Sequence, residues 1–178
     1  AVYLITRKKG SKKSFWTAKT MAVGAMCMAL SSVLSLIKLW PMPMGGSVTP
    51  ASMLPLLLFA YCYGVGPGMV LGALYGVMQF LLDGMAWAAL GAIPNLLDYP
   101  IAFGLLGLAG FVLGCFGRFM ASFLSGFIFY GQYAPEGVNP VWYSLTYNGS
   151  YMLVECIICI ALGLLVGERL AKELKKVA

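Results

Sequence analysis

The sequence predicts an all-α integral membrane protein, with six transmembrane helices in one bundle and both termini in the cytoplasm. Of the 178 residues, 61% are hydrophobic and only 10% are charged, and the mean hydropathy is +0.86. Soluble domains carry about 25% charged residues. A spanning helix needs roughly 20 residues, so a chain of this length holds about six spans and no soluble catalytic domain.

The first three predicted helices are apolar runs that end at turn-forming residues. The first covers residues 15–39 and ends at two prolines. The second, 51–63, is short for a span and ends at the glycine-rich turn 64–68. The third covers 68–82 and ends at Asp83, which we interpret as a helix-end residue. Its glycines recur every fourth residue, a spacing that lets another helix approach closely.

The last three predicted helices follow the same reasoning. The fourth covers 95–115, with Pro100 in its first turns, and Gly117 and Arg118 are predicted to turn the chain. The fifth covers 119–130 and ends at a polar loop. The sixth, 141–166, is long and leads into a basic C-terminal segment. The expected result is a single membrane domain.

Composition and charge predict the parts of this domain and the side of the membrane on which each connection lies. The domain 1–178 divides into a basic segment at 1–14, the six-helix bundle at 15–167 and a basic tail at 168–178. Lys and Arg concentrate in cytoplasmic loops, and the connections 40–50, 84–94 and 131–140 contain neither. These three connections are therefore predicted outside, and 84–94 is expected to dip into the membrane or lie on it. The loops 64–67 and 116–118 are predicted inside, with Arg118 as support.

Composition also excludes several classes of function. The basic residues lie mainly at the two ends and are not interleaved with exposed aromatic residues, so no nucleic-acid interface is expected. The chain has five cysteines and no histidine. Cys156 and Cys159 lie in an apolar helical run, where cysteine behaves as a small apolar residue, so no metal site is expected. A nucleophile–base pair and a phosphate-binding P-loop are also lacking, which argues against an enzyme.

Asp98 is the strongest candidate for a functional residue. It lies in the apolar stretch NLLDYPIAFGLLGLAG, and its own segment has no basic residue to neutralise it. A carboxylate at membrane depth costs about 2.5–3.5 kcal/mol on insertion scales and is usually kept to meet a cation, a proton or a hydrogen-bonding ligand. Asp98 therefore predicts a binding site within the membrane.

Polar and aromatic residues of the last two helices share faces at helical spacing. One face carries Ser122, Gly126, Phe129 and Tyr130; the other carries Ser144, Asn148, Tyr151 and Glu155, flanked by Tyr143 and Tyr147. With Asp98 and Tyr99 they predict a pocket near the outer leaflet. Aromatic faces stack on flat rings and attract cations, and carboxylates accept hydrogen bonds from ring amines. The expected ligand is small, planar, nitrogen-rich and neutral to cationic.

Each of these patterns also has a purely structural interpretation. Tyrosines at helix ends, such as Tyr130 and Tyr143, are typical of the membrane interface. Glu155 is equally well explained as a hydrogen-bonding partner between helices. Ala25 and Ala29 on the first helix have a spacing that is a weak signal of close helix packing, either within the chain or against another subunit.

Three stretches resemble the thiamine-specific substrate-binding subunits, or S-components, of energy-coupling-factor transporters. They are GGSVTPASMLPLLL, NLLDYPIAFGLLGLAG and GFIFYGQYAPEGVNPVWYSLTYNGSYMLVE. The resemblance spans roughly residues 22–165. It implies six helices, an outward-facing pocket closed by the loop after the first helix, and capture of thiamine. It also implies a membrane coupling subunit and two cytoplasmic ATPases as partners.

The resemblance also implies roles for individual residues. Asp98 takes the place of an acid that holds the aminopyrimidine, and Tyr99 follows it as in the family. Tyr143 and Asn148 match ligand-contacting residues, and Tyr130 stands at the position of a Trp that stacks on the ligand in the family. Ser122 stands where the family usually has His, and Gly46 about where some members have Trp. The substrate-binding set is thus Asp98, Tyr99, Ser122, Tyr130, Tyr143, Tyr147, Asn148 and Glu155, and Ala25 and Ala29 match the docking motif for the coupling subunit.

Other functions remain open at this point. The chain is predicted to bind a vitamin at the bacterial cell membrane and to need partners for transport. One alternative is an S-component for another flat, nitrogen-bearing vitamin or precursor. A second is a self-sufficient oligomeric transporter of cations, and a third is a purely structural subunit, in which Asp98 would be replaceable.

Overall fold

Long apolar helices dominate the structure, a computed structural model that describes residues 16–43, 46–83, 85, 88, 91–108 and 110–177. Within these ranges the elements, in chain order, are α1 (Ala18–Leu36), β1 (Trp40–Pro41), β2 (Ser47–Val48), α2 (Leu54–Tyr63), α3 (Val65–Leu82), α4 (Ala92–Leu96), a wide π-type turn (Leu97–Ile101), α5 (Ala102–Leu105), α6 (Phe111–Ile128), a 3-10 turn (Gly131–Tyr133) and α7 (Pro140–Val177). The all-α membrane fold class is confirmed.

Four of these helices, α1, α3, α6 and α7, are long and apolar enough to cross a membrane. Helix α2 has only 10 residues. It lies at the centre of the bundle, in contact with α1, α3, α6 and α7, and Phe59 on it is fully buried. A helix that is surrounded by protein does not need to be long enough to cross the membrane. The number of spans and the side of the termini stay predictions.

The fourth predicted helix is interrupted, and its predicted end at 115 is wrong. Around Pro100, α4 and α5 are joined by the wide turn, in which the Ala102 amide donates to the Leu97 carbonyl, five residues back. Proline lacks an amide hydrogen and clashes with the preceding turn, which favours such a bulge. Helix α5 ends at Leu105, and α6 begins after Gly110, whose φ is +87°.

Two further sequence predictions are corrected by α6 and α7. Gly117 and Arg118 do not turn the chain: both lie inside α6, which begins at Phe111 rather than at 119. Arg118 therefore gives no support to a cytoplasmic loop at 116–118. The sixth helix was predicted to end at 166, but α7 continues through the basic C-terminal segment as far as Val177.

The predicted glycine ridge of α3 is confirmed as a close-packing surface. A Cβ atom at Gly72 would overlap the carbonyl oxygen of Phe103, and one at Gly76 would overlap that of Tyr99. The backbone of α3 therefore lies directly against the backbone of the interrupted helix. This contact fixes the height and direction of the wide turn that carries Asp98.

We expect Gly76→Ala to displace the wide turn and to destabilise the protein by about 1–3 kcal/mol, the usual cost of overpacking. Gly66→Ala, on the same helix, is the matched control, because nothing lies within 4 Å of the added methyl group. Thermal unfolding in detergent measures both variants. Equal losses of stability in the two would show that the backbone contact at Gly76 is not special.

A two-stranded antiparallel hairpin follows α1, with Trp40 paired to Val48 and Pro41 to Ser47. It packs on α7: Val48, Tyr151 and Met152 form a small hydrophobic cluster. A Cβ atom at Gly46 would lie 2.7 Å from the Tyr151 ring. This glycine therefore lets the hairpin rest on the aromatic ring.

Candidate functional site

A cavity of about 130 Å³ lies between the hairpin, α3, the wide turn, α6 and α7. The structure brings the whole predicted substrate-binding set together in its wall: Asp98, Tyr99, Ser122, Tyr130, Tyr143, Tyr147, Asn148 and Glu155. Residues up to 57 positions apart in the chain thus share one site. The predicted face of Ser144 and Tyr151 on α7, and Gly126 on α6, line it as well.

Asp98 is positioned by the wide turn and by α6. Its Oδ2 accepts a hydrogen bond of 2.7 Å from the hydroxyl of Ser125, which is fully buried. The hydroxyls of Ser122 and Tyr130 also interact with this carboxylate. These donors keep the acid at a fixed place in the cavity wall. A charged acceptor that is held in this way is prepared to receive a donor from a ligand.

Aromatic rings form a stripe along the α7 side of the cavity. The Tyr143 and Tyr147 centroids are 6.0 Å apart, and those of Tyr147 and Tyr151 are 5.9 Å apart in an edge-on arrangement. The four-residue spacing places all three on one face of the helix. Tyr99 is held from the other side by Phe80, at 5.4 Å. The cavity therefore offers several aromatic faces to a flat ligand.

Asn148 joins α7 to α6 as well as lining the cavity. Its Nδ2 donates to the carbonyl oxygens of Ser122, at 3.3 Å, and Ser144, at 3.1 Å. Its Oδ1 accepts from the Tyr151 hydroxyl at 3.1 Å. The two donors of the amide are thus engaged by protein. What remains for a ligand is the second lone pair of Oδ1.

Glu155 is 1% exposed, and its partners are not on another helix. Its Oε1 accepts from the hydroxyls of Thr49, at 2.5 Å, and Ser52, at 2.7 Å. Both donors lie between the hairpin and α2. The expected contact between helices is therefore replaced by a contact with the segment that follows the hairpin.

Sequence analysis missed Arg118 as a residue of this site. Its guanidinium lines the cavity with Cζ 4.1 Å from the centre of the Phe103 ring. Its Nε and Nη1 are buried and have no hydrogen-bond partner within the described ranges. The spacing of Arg118, Ser122 and Ser125 on one helix was a usable signal, since polar residues at i, i+4 and i+7 share a face.

Helix α3 contributes a second polar stripe that sequence analysis also missed. Tyr75, Gln79 and Asp83 recur every fourth residue and line the cavity. Asp83 is the C-cap of α3, as predicted, and pairs with Lys38 at 3.3 Å, both side chains being about two-fifths exposed. The Gln79 amide also donates to Asp83, at 3.2 Å. The acid at this rim is therefore already neutralised.

The charges of the described cavity wall decide which ligands suit it. Asp83 is paired with Lys38, and Glu155 accepts hydrogen bonds from the Thr49 and Ser52 hydroxyls. Asp98 is therefore the carboxylate of the described wall that is best placed to meet a ligand. In a site of low dielectric constant, a carboxylate favours a ligand with a positive charge.

The alanine pair and the cysteines lie outside this arrangement. Ala25 and Ala29 are exposed on the outer face of α1, next to Met26 and Leu30, which are 66% and 53% exposed. The small residues therefore form a shallow strip on the outer surface of the bundle. The five cysteines are free thiols. In the described part of the chain, no group of three or more His, Cys, Asp or Glu side chains is placed to hold a metal ion.

Comparisons with known proteins identify relatives of this chain. The model of a family described as thiamine transporter protein (Thia_YuaJ) matches residues 21–114 and 110–174. The chain is similar to the thiamine transporter ThiT of Bacillus subtilis (strain 168), at 34% identity over 66% of this chain and 73% of that protein. It is also similar to the thiamine transporter ThiT of Lacticaseibacillus paracasei, at 27% identity over 80% and 81%.

A solved structure of ThiT from Listeria monocytogenes shares the fold. Its TM-score is 0.69 at 21% sequence identity, and the match covers 88% of this chain and 93% of that chain. This likeness supports the helical membrane bundle described above.

Proposed function

This chain belongs to the thiamine transporter protein family (Thia_YuaJ), whose model matches most of its length, and from this premise we propose that its cavity captures thiamine for uptake across the bacterial cell membrane. The protein is a transport component and not an enzyme. The observation that carries the proposal is the chemistry of the cavity wall: the fixed carboxylate of Asp98 beside a stripe of tyrosine rings.

Thiamine matches each of these features. It carries an aminopyrimidine, whose amine and ring nitrogens form hydrogen bonds, and a thiazolium ring with one positive charge. A carboxylate is the natural acceptor for the amine. Tyrosine faces attract the thiazolium by stacking and by cation–π attraction. The carboxylate of Asp98 also attracts the positive charge of the ligand.

We assign roles by this chemistry. Asp98 receives the aminopyrimidine, with Ser122 beside it in the position where the family usually has His. Tyr130 and Tyr143 enclose the rings. Tyr99, Tyr147 and Asn148 complete the wall, and Asn148 acts through its free lone pair. Glu155 lies at the edge of this set, because its contacts are with the segment after the hairpin.

Transport would require partners, because a cavity that binds the ligand does not supply the energy to move it across the membrane. We propose that a membrane coupling subunit docks on the strip of Ala25 and Ala29, and that two cytoplasmic ATPases supply the energy. The support is the exposed position of these small residues in a helix long enough to cross the membrane. Small residues let two helix backbones approach closely.

Purified protein should bind thiamine, and the binding should quench the fluorescence of its tyrosines and tryptophans. Titration calorimetry should give one site per chain. Riboflavin, a flat vitamin without a positive charge, is the comparison ligand and should bind much more weakly. Equal binding of both would contradict the charge argument.

The same protein in vesicles distinguishes a binding subunit from a self-sufficient transporter. Reconstituted alone, it should bind labelled thiamine but should not accumulate it when a proton gradient is imposed. Accumulation driven by that gradient, without any partner, would refute the requirement for ATPases.

A further inference from the structure

Residues 49–52, here called the corner segment, connect the hairpin to the start of α2. Thr49 and Ser52 are buried in it, and Ala51 has a φ of +65° and is 2% exposed. A non-glycine residue rarely adopts this left-handed conformation, because its Cβ approaches the backbone. Such a conformation persists only where neighbouring contacts hold it in place.

Glu155 supplies the contacts that hold the corner segment. The Thr49 and Ser52 hydroxyls both donate to its Oε1, and the Ser52 amide donates to the Thr49 hydroxyl oxygen at 3.2 Å. The acid thus draws both ends of the segment to one atom of α7. A carboxylate buried in a membrane protein requires a strong reason to be retained, and these two donors provide one.

The corner segment in turn determines where the hairpin lies. Gly46 and Ser47 of the hairpin line the cavity, and Gly46 rests on the Tyr151 ring, one helical turn from Glu155. The Leu39 amide donates to the Val48 carbonyl at 2.9 Å and closes the base of the hairpin. The hairpin therefore contacts the stretch of α7 that runs from Tyr151 to Glu155, and Glu155 is the charged member of that stretch.

We propose that Glu155 is a positioning residue for thiamine capture: as a hydrogen-bond acceptor it holds the corner segment, and so the hairpin, against the cavity. The inference rests on the proposed function and deepens it. Glu155 then acts on how long the ligand is retained and not through its own charge on the ligand. Loss of the acceptor should speed thiamine release, while the rate of entry changes little.

Four variants distinguish the effect of the hydrogen-bond acceptor at Glu155 from the effect of its charge. Glu155→Gln keeps an oxygen that accepts hydrogen bonds and removes the charge, whereas Glu155→Leu removes both. Thr49→Ser keeps the hydroxyl, and Thr49→Val replaces it with a methyl group of similar size. Each pair contains its own control, and the Thr49 pair decides the question if Glu155→Leu fails to fold.

Two measurements are made on each variant. Hydrogen–deuterium exchange of ligand-free protein does not depend on thiamine. It reports the amides of Leu39 and Ser52 in the Glu155 variants, and that of Leu39 alone in the Thr49 variants, because Thr49→Val itself removes the acceptor of the Ser52 amide. Stopped-flow fluorescence gives thiamine association and dissociation rates. In Glu155→Leu and Thr49→Val we expect faster exchange at these amides and dissociation about five- to tenfold faster, the effect of roughly one lost hydrogen bond. Glu155→Gln and Thr49→Ser should remain close to wild type in both.

The outcomes are distinct. If Glu155→Gln loses as much affinity as Glu155→Leu while its exchange stays at the wild-type level, the charge contacts the ligand and the proposal is overturned. Unchanged exchange in Thr49→Val and Glu155→Leu also overturns it. If wild-type protein does not bind thiamine, the proposed function fails, and the exchange data still decide whether Glu155 holds the corner segment.

Discussion

Asp98→Asn is expected to weaken thiamine binding about 10- to 100-fold. The carboxylate is fixed by the Ser125 hydroxyl at 2.7 Å and is one of three acids in the described cavity wall, with Asp83 and Glu155. A hydrogen bond to a charged group contributes about 1.5–3 kcal/mol, which corresponds to this range of affinity. The amide keeps the size of the side chain, so the loss should come from charge and acceptor capacity. Titration calorimetry of the purified variant measures it.

Asp83→Asn is the matched control for this experiment. It changes the same chemical group in the same cavity, but Asp83 is paired with Lys38 at the exposed rim. Exposed ion pairs contribute about 0–1 kcal/mol, so thiamine affinity should fall by less than about fivefold. If Asp83→Asn weakens binding as much as Asp98→Asn does, the site depends on its overall charge and Asp98 has no special role.

Replacing Ala25 and Ala29 together by leucine is expected to abolish thiamine uptake by cells and to leave thiamine binding by purified protein within about twofold. Both residues are exposed on the outer face of α1, away from the cavity wall. Larger side chains there should keep a partner helix from approaching its backbone. Uptake of labelled thiamine and calorimetry on the same variant measure the two effects.

Leu30→Trp serves as the control, because Leu30 is also exposed on α1 but points about 100° away from Ala29 around the helix. It should support normal uptake. Loss of binding in the alanine double variant would show that these residues pack inside the bundle. Loss of uptake in the Leu30 variant would show that the whole face of α1, and not the alanine strip, meets the partner.

The fold class, and the side chains that line the cavity, could be predicted because both depend on simple local patterns. Low charge and long apolar runs indicate a membrane protein without any tertiary information. Helical spacing placed Ser122 and Tyr130 on one face, and Asn148 and Glu155 on another, and the structure gathers these residues around one cavity. Asp98 stood out because an acid is rare in such a segment.

The errors arose where tertiary contacts overrule local signals. Gly117 beside Arg118 resembled a turn, but the glycine packs against Leu105 and Leu108, and the guanidinium covers the Phe103 ring. Both residues therefore fit inside α6. The partners of Glu155 lie 103 and 106 residues away in the chain, a distance that no periodicity could bridge.

Helix α7 has 38 residues and is therefore about 57 Å long, nearly twice the thickness of the hydrocarbon core of a bilayer. Its first half bears Tyr143, Asn148 and Glu155, and its last turns bear Arg169 and Lys172. One uninterrupted helix thus connects the cavity wall to a basic end, and this helix is longer than the hydrocarbon core of a bilayer is thick. A small tilt of the helix at its cavity end would therefore become a larger displacement of its basic end.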